Sequence, residues 1–270
     1  MNLDRVRVLI AKELREFRAN PSVLIPVLIV VVLTTILPIV IVVILPNATG
    51  QSLASDRGMQ QVVARAAAWM PSLAAMSPEA ATEAFFFQQF LFMFLIAPII
   101  GAVSLAAYAI VGEKQGRTLE PLLTTPVSTA ELLVAKALAS FVPALLIEAG
   151  GLCIYAGLVA VIALPGVLRV LLSGRTLLLV AMLGPMAALT ALQATIAVSS
   201  RVNDPRSAQQ IAVLLVMPLM VMFVGQIAGA FVATTGMLAL VTAGIAVAWV
   251  LLVLLSVALF DRETILTRWK

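Results

Sequence analysis

Six predominantly apolar runs dominate the chain: Ser22–Leu45, Phe85–Val111, Thr129–Ala163, Thr176–Val198, Ala208–Ala233 and Met237–Phe260. In hydrocarbon every backbone N–H and C=O must be satisfied internally, and a helix does this within one segment. At about 1.5 Å per residue, some 20 apolar residues cross a ~30 Å hydrocarbon core. Each run meets that length, and the third exceeds it, so its first two turns are expected to project from the bilayer. The expected fold class is therefore an all-α integral membrane protein with six transmembrane helices, one transmembrane domain filling residues 1–270. Hydrophobic residues make up 62% of the chain and charged residues 11%, against roughly half and a quarter in soluble domains. No stretch is left over for a separate soluble domain.

Orientation follows from the cations, which favour the cytoplasmic side of short loops. With the N-terminus inside, the inner segments hold thirteen: Arg5, Arg7, Lys12, Arg15, Arg18, Lys114, Arg117, Lys136, Arg201, Arg206, Arg262, Arg268 and Lys270. The outer segments hold four: Arg57, Arg65, Arg169 and Arg175. Both termini are thus expected in the cytoplasm. The net charge of +4 reads as this topology signal, with no nucleic-acid partner expected.

Residues 4–18 place Val6, Ile10, Leu14 and Phe17 on one helical stripe, ringed by Arg5, Lys12, Arg15 and Arg18. Such an amphipathic helix is expected to lie in the membrane interface, its stripe at the acyl boundary. Asn20-Pro21 ends it, because the residue before proline is pushed out of the helical region. The apolar run that follows is too long for a signal-peptide core and reads as a retained span. Residues 46–84 form the long extracytoplasmic loop. Within it Met59, Val62, Val63, Ala66 and Met70 repeat at helical spacing, predicting a short amphipathic helix on the outer surface.

The absent residue types exclude several chemistries. There is no histidine, which removes Ser–His and Cys–His catalysis and the HExxH zinc helix. The one cysteine, Cys153, leaves no internal disulfide and no CxxC site. No metal or cofactor site, and no catalytic residue, is expected in this chain.

The inner loop, residues 112–128, holds two helix starts. Thr118 suits an N-cap, with Glu120 favoured by the dipole in the first turn and Pro121 tolerated there. Leu119, Leu122 and Leu123 then share one face until Pro126 stops the helix. Ser128 and Glu131 match a capping box that opens the third span. A short helix showing leucines and charges to the cytoplasm suits a docking knob. An ordinary loop folded back on its own bundle fits the same residues.

This stretch resembles the signature of ABC-2-type permeases, E-K-x-x-G-T-L-E-x-L-L-x-x-P followed by L-x-x-K, after the second span. The chain matches at Glu113, Lys114, Leu119, Glu120, Leu122, Leu123, Pro126, Leu132 or Leu133, and Lys136. It departs by inserting Arg117 between Gly116 and Thr118. The N-terminal helix, the six runs and Phe260-Asp261-Arg262-Glu263 resemble the family as well, closest to its sodium-efflux and multidrug export type. The resemblance implies a permease subunit of an ATP-driven exporter in a bacterial or archaeal cell membrane. It implies a cytoplasmic coupling helix between spans two and three, seated in a separate ABC ATPase subunit. Glu113, Lys114, Arg117, Thr118, Leu119, Glu120, Leu122 and Leu123 would form that contact. Two ATPase copies carrying ATP and Mg, and a second permease, identical or homologous, would complete the assembly. The chain has no GxxxxGK[ST] phosphate loop of its own, so it is not expected to hydrolyse ATP by itself.

Within the spans Glu148 stands out, 12 residues beyond Lys136, or about 18 Å along a helix. A carboxylate at such depth faces a cavity or a partner. One reading gives it a cation, a polar substrate group or a proton to carry, and the other a packing role. With the first, an ion-gradient-driven transporter or channel is the alternative function. Gly225 and Gly229 form a GxxxG pair that fits packing within one subunit or between two permeases. Met217, Met220 and Met222 fit an adaptable apolar pathway or ordinary packing.

Overall fold

The computed structural model describes residues 2–19, 21–116, 127–199, 207, 210, 214, 217–228 and 234–259. Among these residues the structure is helical, with no strand. The main helices are α1 (Leu3–Ala19), α2 (Pro21–Ile39), α3 (Arg57–Ala67), α4 (Pro78–Phe94), α5 (Ile96–Gln115), α6 (Thr129–Ile162), α7 (Gly174–Ser199), α8 (Met217–Ile227) and α9 (Thr235–Leu259). Among the described residues five stretches are long and apolar enough to cross a membrane: Leu24–Thr49, Pro78–Glu113, Ala130–Ile162, Gly174–Ser199 and Thr235–Ser256. Most of the expected span 208–233 lies outside the described residues; its described part is α8.

Several boundaries move outward from the sequence expectation, for local reasons. α2 continues through a π-helical turn, Val40–Ile44, into Leu45–Thr49, and stops at Gly50, whose φ of 67° no β-carbon favours. α4 starts at Pro78 instead of Phe85 because Ser77 caps Ala80 N–H and Pro78 suits the first helical position. The loop expected over 46–84 is accordingly shorter. It contains α3, capped by Asp56 on Met59 N–H, with Val63 and Ala66 buried.

Among the described residues three interruptions lie within the spans, each shortly before a proline. The π-helical turn in α2 precedes Pro46. The break at Leu95, between α4 and α5, precedes Pro98. The π-helical turn Leu179–Leu183 in α7 precedes Pro185. Proline supplies no N–H to the preceding turn, which frees a carbonyl and lets the helix widen or bend.

The α4–α5 span is central: 83% of its apolar window is buried, against 6% for α9, whose surface is mostly exposed. α2, α6 and α7 surround α5, and α9 packs outside α7. Two glycines set how closely α2 approaches. A β-carbon on Gly151 of α6 would fall 2.4 Å from Val31 Cγ1. One on Gly101 of α5 would fall 2.9 Å from Ala144 Cβ and 3.2 Å from Val27 Cγ1. Toward the end of the bundle that carries α3, Phe87 and Phe94 pack on Tyr155, whose hydroxyl donates to Phe87 O at 3.0 Å.

Candidate functional site

α1 does not float its stripe in lipid. Val6 and Leu9 pack on Leu132 and Ala135 of α6, and Phe17 packs on Leu105, Ala109 and Ala139 of α5 and α6. The buried face runs Val6, Leu9, Glu13, Phe17, with Ile10 and Leu14 at its margin. This corrects the expected acyl-boundary placement. The bundle offers α1 an apolar groove of its own, lined by small alanines that let a helix approach.

That face carries a carboxylate. Glu13 is 1% exposed and lies against Lys136 of α6, 2% exposed, with Lys136 Nζ donating to Glu13 Oε1 at 2.8 Å. The same Nζ lies 2.8 Å from Glu113 Oε2 at the end of α5 and donates to Ala109 O at 2.6 Å. Lys12 Nζ reaches over to donate to Glu113 Oε1, and stands 3.6 Å from Glu13 Oε1 and 3.3 Å from Glu16 Oε1. Partial burial pulls the Lys12 pKa down, but the hydrogen bond and charge of Glu113, with Glu13 and Glu16, outweigh it and raise the pKa above the ordinary lysine value. Two ammonium groups and two buried carboxylates thus close a cluster across three helices.

A second tie lies one turn away. Ser128 Oγ accepts from Glu131 N–H at 3.2 Å and Glu131 Oε2 accepts from Ser128 N–H at 2.9 Å, a complete capping box at the start of α6. Glu131 Oε1 accepts from Asn2 N–H at 2.6 Å, fastening the beginning of α1 to the same point. The end of α5 and the start of α6 are the two ends from which the chain leaves into residues 117–126 and returns. Both are therefore tied to α1. The ion cluster adds little net stability, as desolvating its ions offsets their attraction; what the pairing supplies is register, and losing one partner is costly.

The expected contact residues divide in two. Glu113 is 5% exposed and turned inward, so its charge is not presented at the surface as expected of a contact residue; the two lysines draw it in. Arg117, Thr118, Leu119, Glu120, Leu122 and Leu123 lie outside the described residues, as does the side chain of Lys114. Sequence reasoning missed Glu13. Its signal was present, because Glu13 stands four residues from both Leu9 and Phe17 and so shares their face.

Glu148 is 3% exposed in α6, and its Oε1 has no hydrogen-bond partner among the described residues. A β-carbon built on Gly184 of α7 would lie 3.4 Å from that oxygen and 3.3 Å from Leu95 Cδ2. The carboxyl group therefore sits inside the bundle, where α4 gives way to α5 and α7 leaves its π-helical turn. Gly225 lies in α8, half-buried, while Gly229 lies outside the described residues. Met220 and Met222 pack against the α5–α7 core, whereas Met217 is 57% exposed.

A family model described as ABC-2 family transporter protein matches residues 7–245. No curated protein and no solved structure matches the chain.

Proposed function

This chain belongs to the ABC-2 transporter family, and we propose that it is the permease subunit of an ATP-driven exporter, moved by a separate ATPase through residues 112–128. As a family member spanning the membrane several times, it is a transport component. The drive, the direction and the partners are our reading. In it, two ATPase subunits carry ATP and Mg, and a second permease, identical or homologous, completes the translocation pathway.

The observation that carries the reading is the ion cluster at the two roots of the loop. A force applied to residues 117–126 enters the membrane through the end of α5 and the start of α6. With Lys136 joining Glu113 to Glu13, those ends move as one body with α1 instead of bending separately. Arg117, Thr118, Leu119, Glu120, Leu122 and Leu123, with Lys114, would form the ATPase contact, and Glu113 would serve from within as its anchor. α6 carries the displacement toward Glu148 and the proline-linked interruptions, where the spans have the least regular hydrogen bonding.

A second reading rests on one observation: the orphaned Oε1 of Glu148 inside the bundle. That group suits an ion-gradient-driven carrier needing no ATPase. Reconstitution of the purified chain in liposomes separates the two. Under the ABC reading, an imposed proton or sodium gradient moves no substrate through the chain alone. Gradient-driven flux, lost in Glu148→Gln, would replace it with the second.

A further inference from the structure

Arg175 is a cation in a setting that disfavours one. It stands in the first turn of α7, at the end of the bundle away from the Lys136 cluster, and is 8% exposed. Its Nη2 donates to Gln226 Oε1 at 2.8 Å and its Nη1 to Met70 Sδ at 3.0 Å. Nε is buried without a hydrogen-bond partner among the described residues. Neither partner is an acid, and Arg175 forms no ion pair among the described residues. A guanidinium stays charged, and a desolvated charge calls for a counter-charge.

The surroundings are built for an anion. Arg175 lines a cavity of about 670 Å³ together with Ser72, Ser173, Thr234, Thr235 and Gly236. α7 begins at Gly174 and α9, a helix of 25 residues, begins at Thr235, so two helix N-termini border the space. Their free N–H groups and positive dipole ends favour negative charge. Ser173 makes no side-chain cap to α7, and Thr234 Oγ1 takes the N–H of Met237 at 3.2 Å. Trp69, 66% exposed, stands at the rim, a residue type that settles at the headgroup level of a bilayer.

We infer that this cavity binds the phosphate or carboxylate group of a ligand at the outer end of the spans, with Arg175 as its counter-ion. The site is separate from the cytoplasmic cluster and holds whether or not an ATPase drives the chain. Its volume is many times the ~30 Å³ of one water molecule, room for a phospholipid headgroup or a small organic anion.

The test is thermal unfolding of the full chain in neutral detergent, titrated separately with dihexanoyl phosphatidylglycerol and with inorganic phosphate. A saturable rise in Tm is expected in the wild type. Arg175→Gln should move half-saturation up by about tenfold or more, the usual effect of losing a charge-assisted hydrogen bond. Should that variant fail to fold, Gly236→Asp keeps the arginine and carries the test. Gly236 lines the cavity and a β-carbon there meets nothing within 4 Å, so a carboxylate is tolerated beside Arg175 and should raise Tm by itself and abolish the response. A response to the lipid alone identifies a headgroup as the source of the anion; a response to phosphate identifies a soluble one. No response in the wild type, or an unchanged response in Gly236→Asp, overturns the inference.

Discussion

Lys136 Nζ lies 2.8 Å from Glu13 Oε1, joining residues 123 apart in the chain where neither is more than 2% exposed. Both side chains leave water to meet, and each is left uncompensated if the other is removed. The pairing fixes α1 against α6 in one register, and Glu113 extends it to α5. The cluster therefore positions the loop's two ends more than it stabilises the fold.

Lys136→Met should cost about 3–5 kcal/mol, the usual penalty for stranding a buried partner. Replacing the carboxylates as well, in Glu13→Gln/Glu113→Gln/Lys136→Met, should recover much of that loss. Thermal unfolding of the purified variants reads both values. Equal destabilisation by the single and triple variants would show that packing, not charge pairing, holds α1.

Gly151→Ala and Gly150→Ala should act in opposite directions. The first drives a methyl group onto Val31 Cγ1, 2.4 Å away, an overpacking worth about 1–3 kcal/mol against the fold. The second meets nothing within 4 Å and gains up to about 1 kcal/mol of helix propensity. A pair of melting curves decides the matter.

The raised pKa of Lys12 predicts a pH window. Its folded value stands above the unfolded one, so its contribution to stability is complete below the ordinary lysine pKa of about 10.4 and fades as pH rises through the higher folded value. Tm of the wild type relative to Lys12→Met should be flat from neutrality to about that pH and converge above it. Convergence near neutral pH would contradict the assignment.

Glu148→Gln should leave expression and assembly intact while reducing transport, because the carboxyl group occupies the interior beside Gly184 without a described partner for Oε1. Transport by proteoliposomes and recovery of the folded chain are measured on the same preparation. Normal transport would assign Glu148 to packing.

Five of the six expected spans were legible because apolar length is a local property, and so was the capping box, since Ser128 and Glu131 lie three residues apart. The early start of α4 was harder to read: Pro78-Glu79-Ala80-Ala81-Thr82-Glu83 looks polar enough for a loop, yet Ser77 and Pro78 start a helix there. The acid on the buried face of α1 was visible in its spacing, but its partner Lys136 is a tertiary fact that no local pattern carries. Arg175 entered the sequence reading only as an outer cation. Its burial depends on Gln226 and Met70, distant in sequence.

The central claim is that a separate ATPase drives this permease through residues 112–128. It is tested most directly by affinity purification of the tagged full chain from its native membrane in mild detergent, with ATP hydrolysis assayed on the recovered complex. The account predicts a co-purifying nucleotide-hydrolysing subunit that is lost in Glu120→Lys, while Lys136→Arg, which keeps the cluster charged, retains it. Recovery of the chain with no such subunit, from membranes in which it supports transport, would contradict the account.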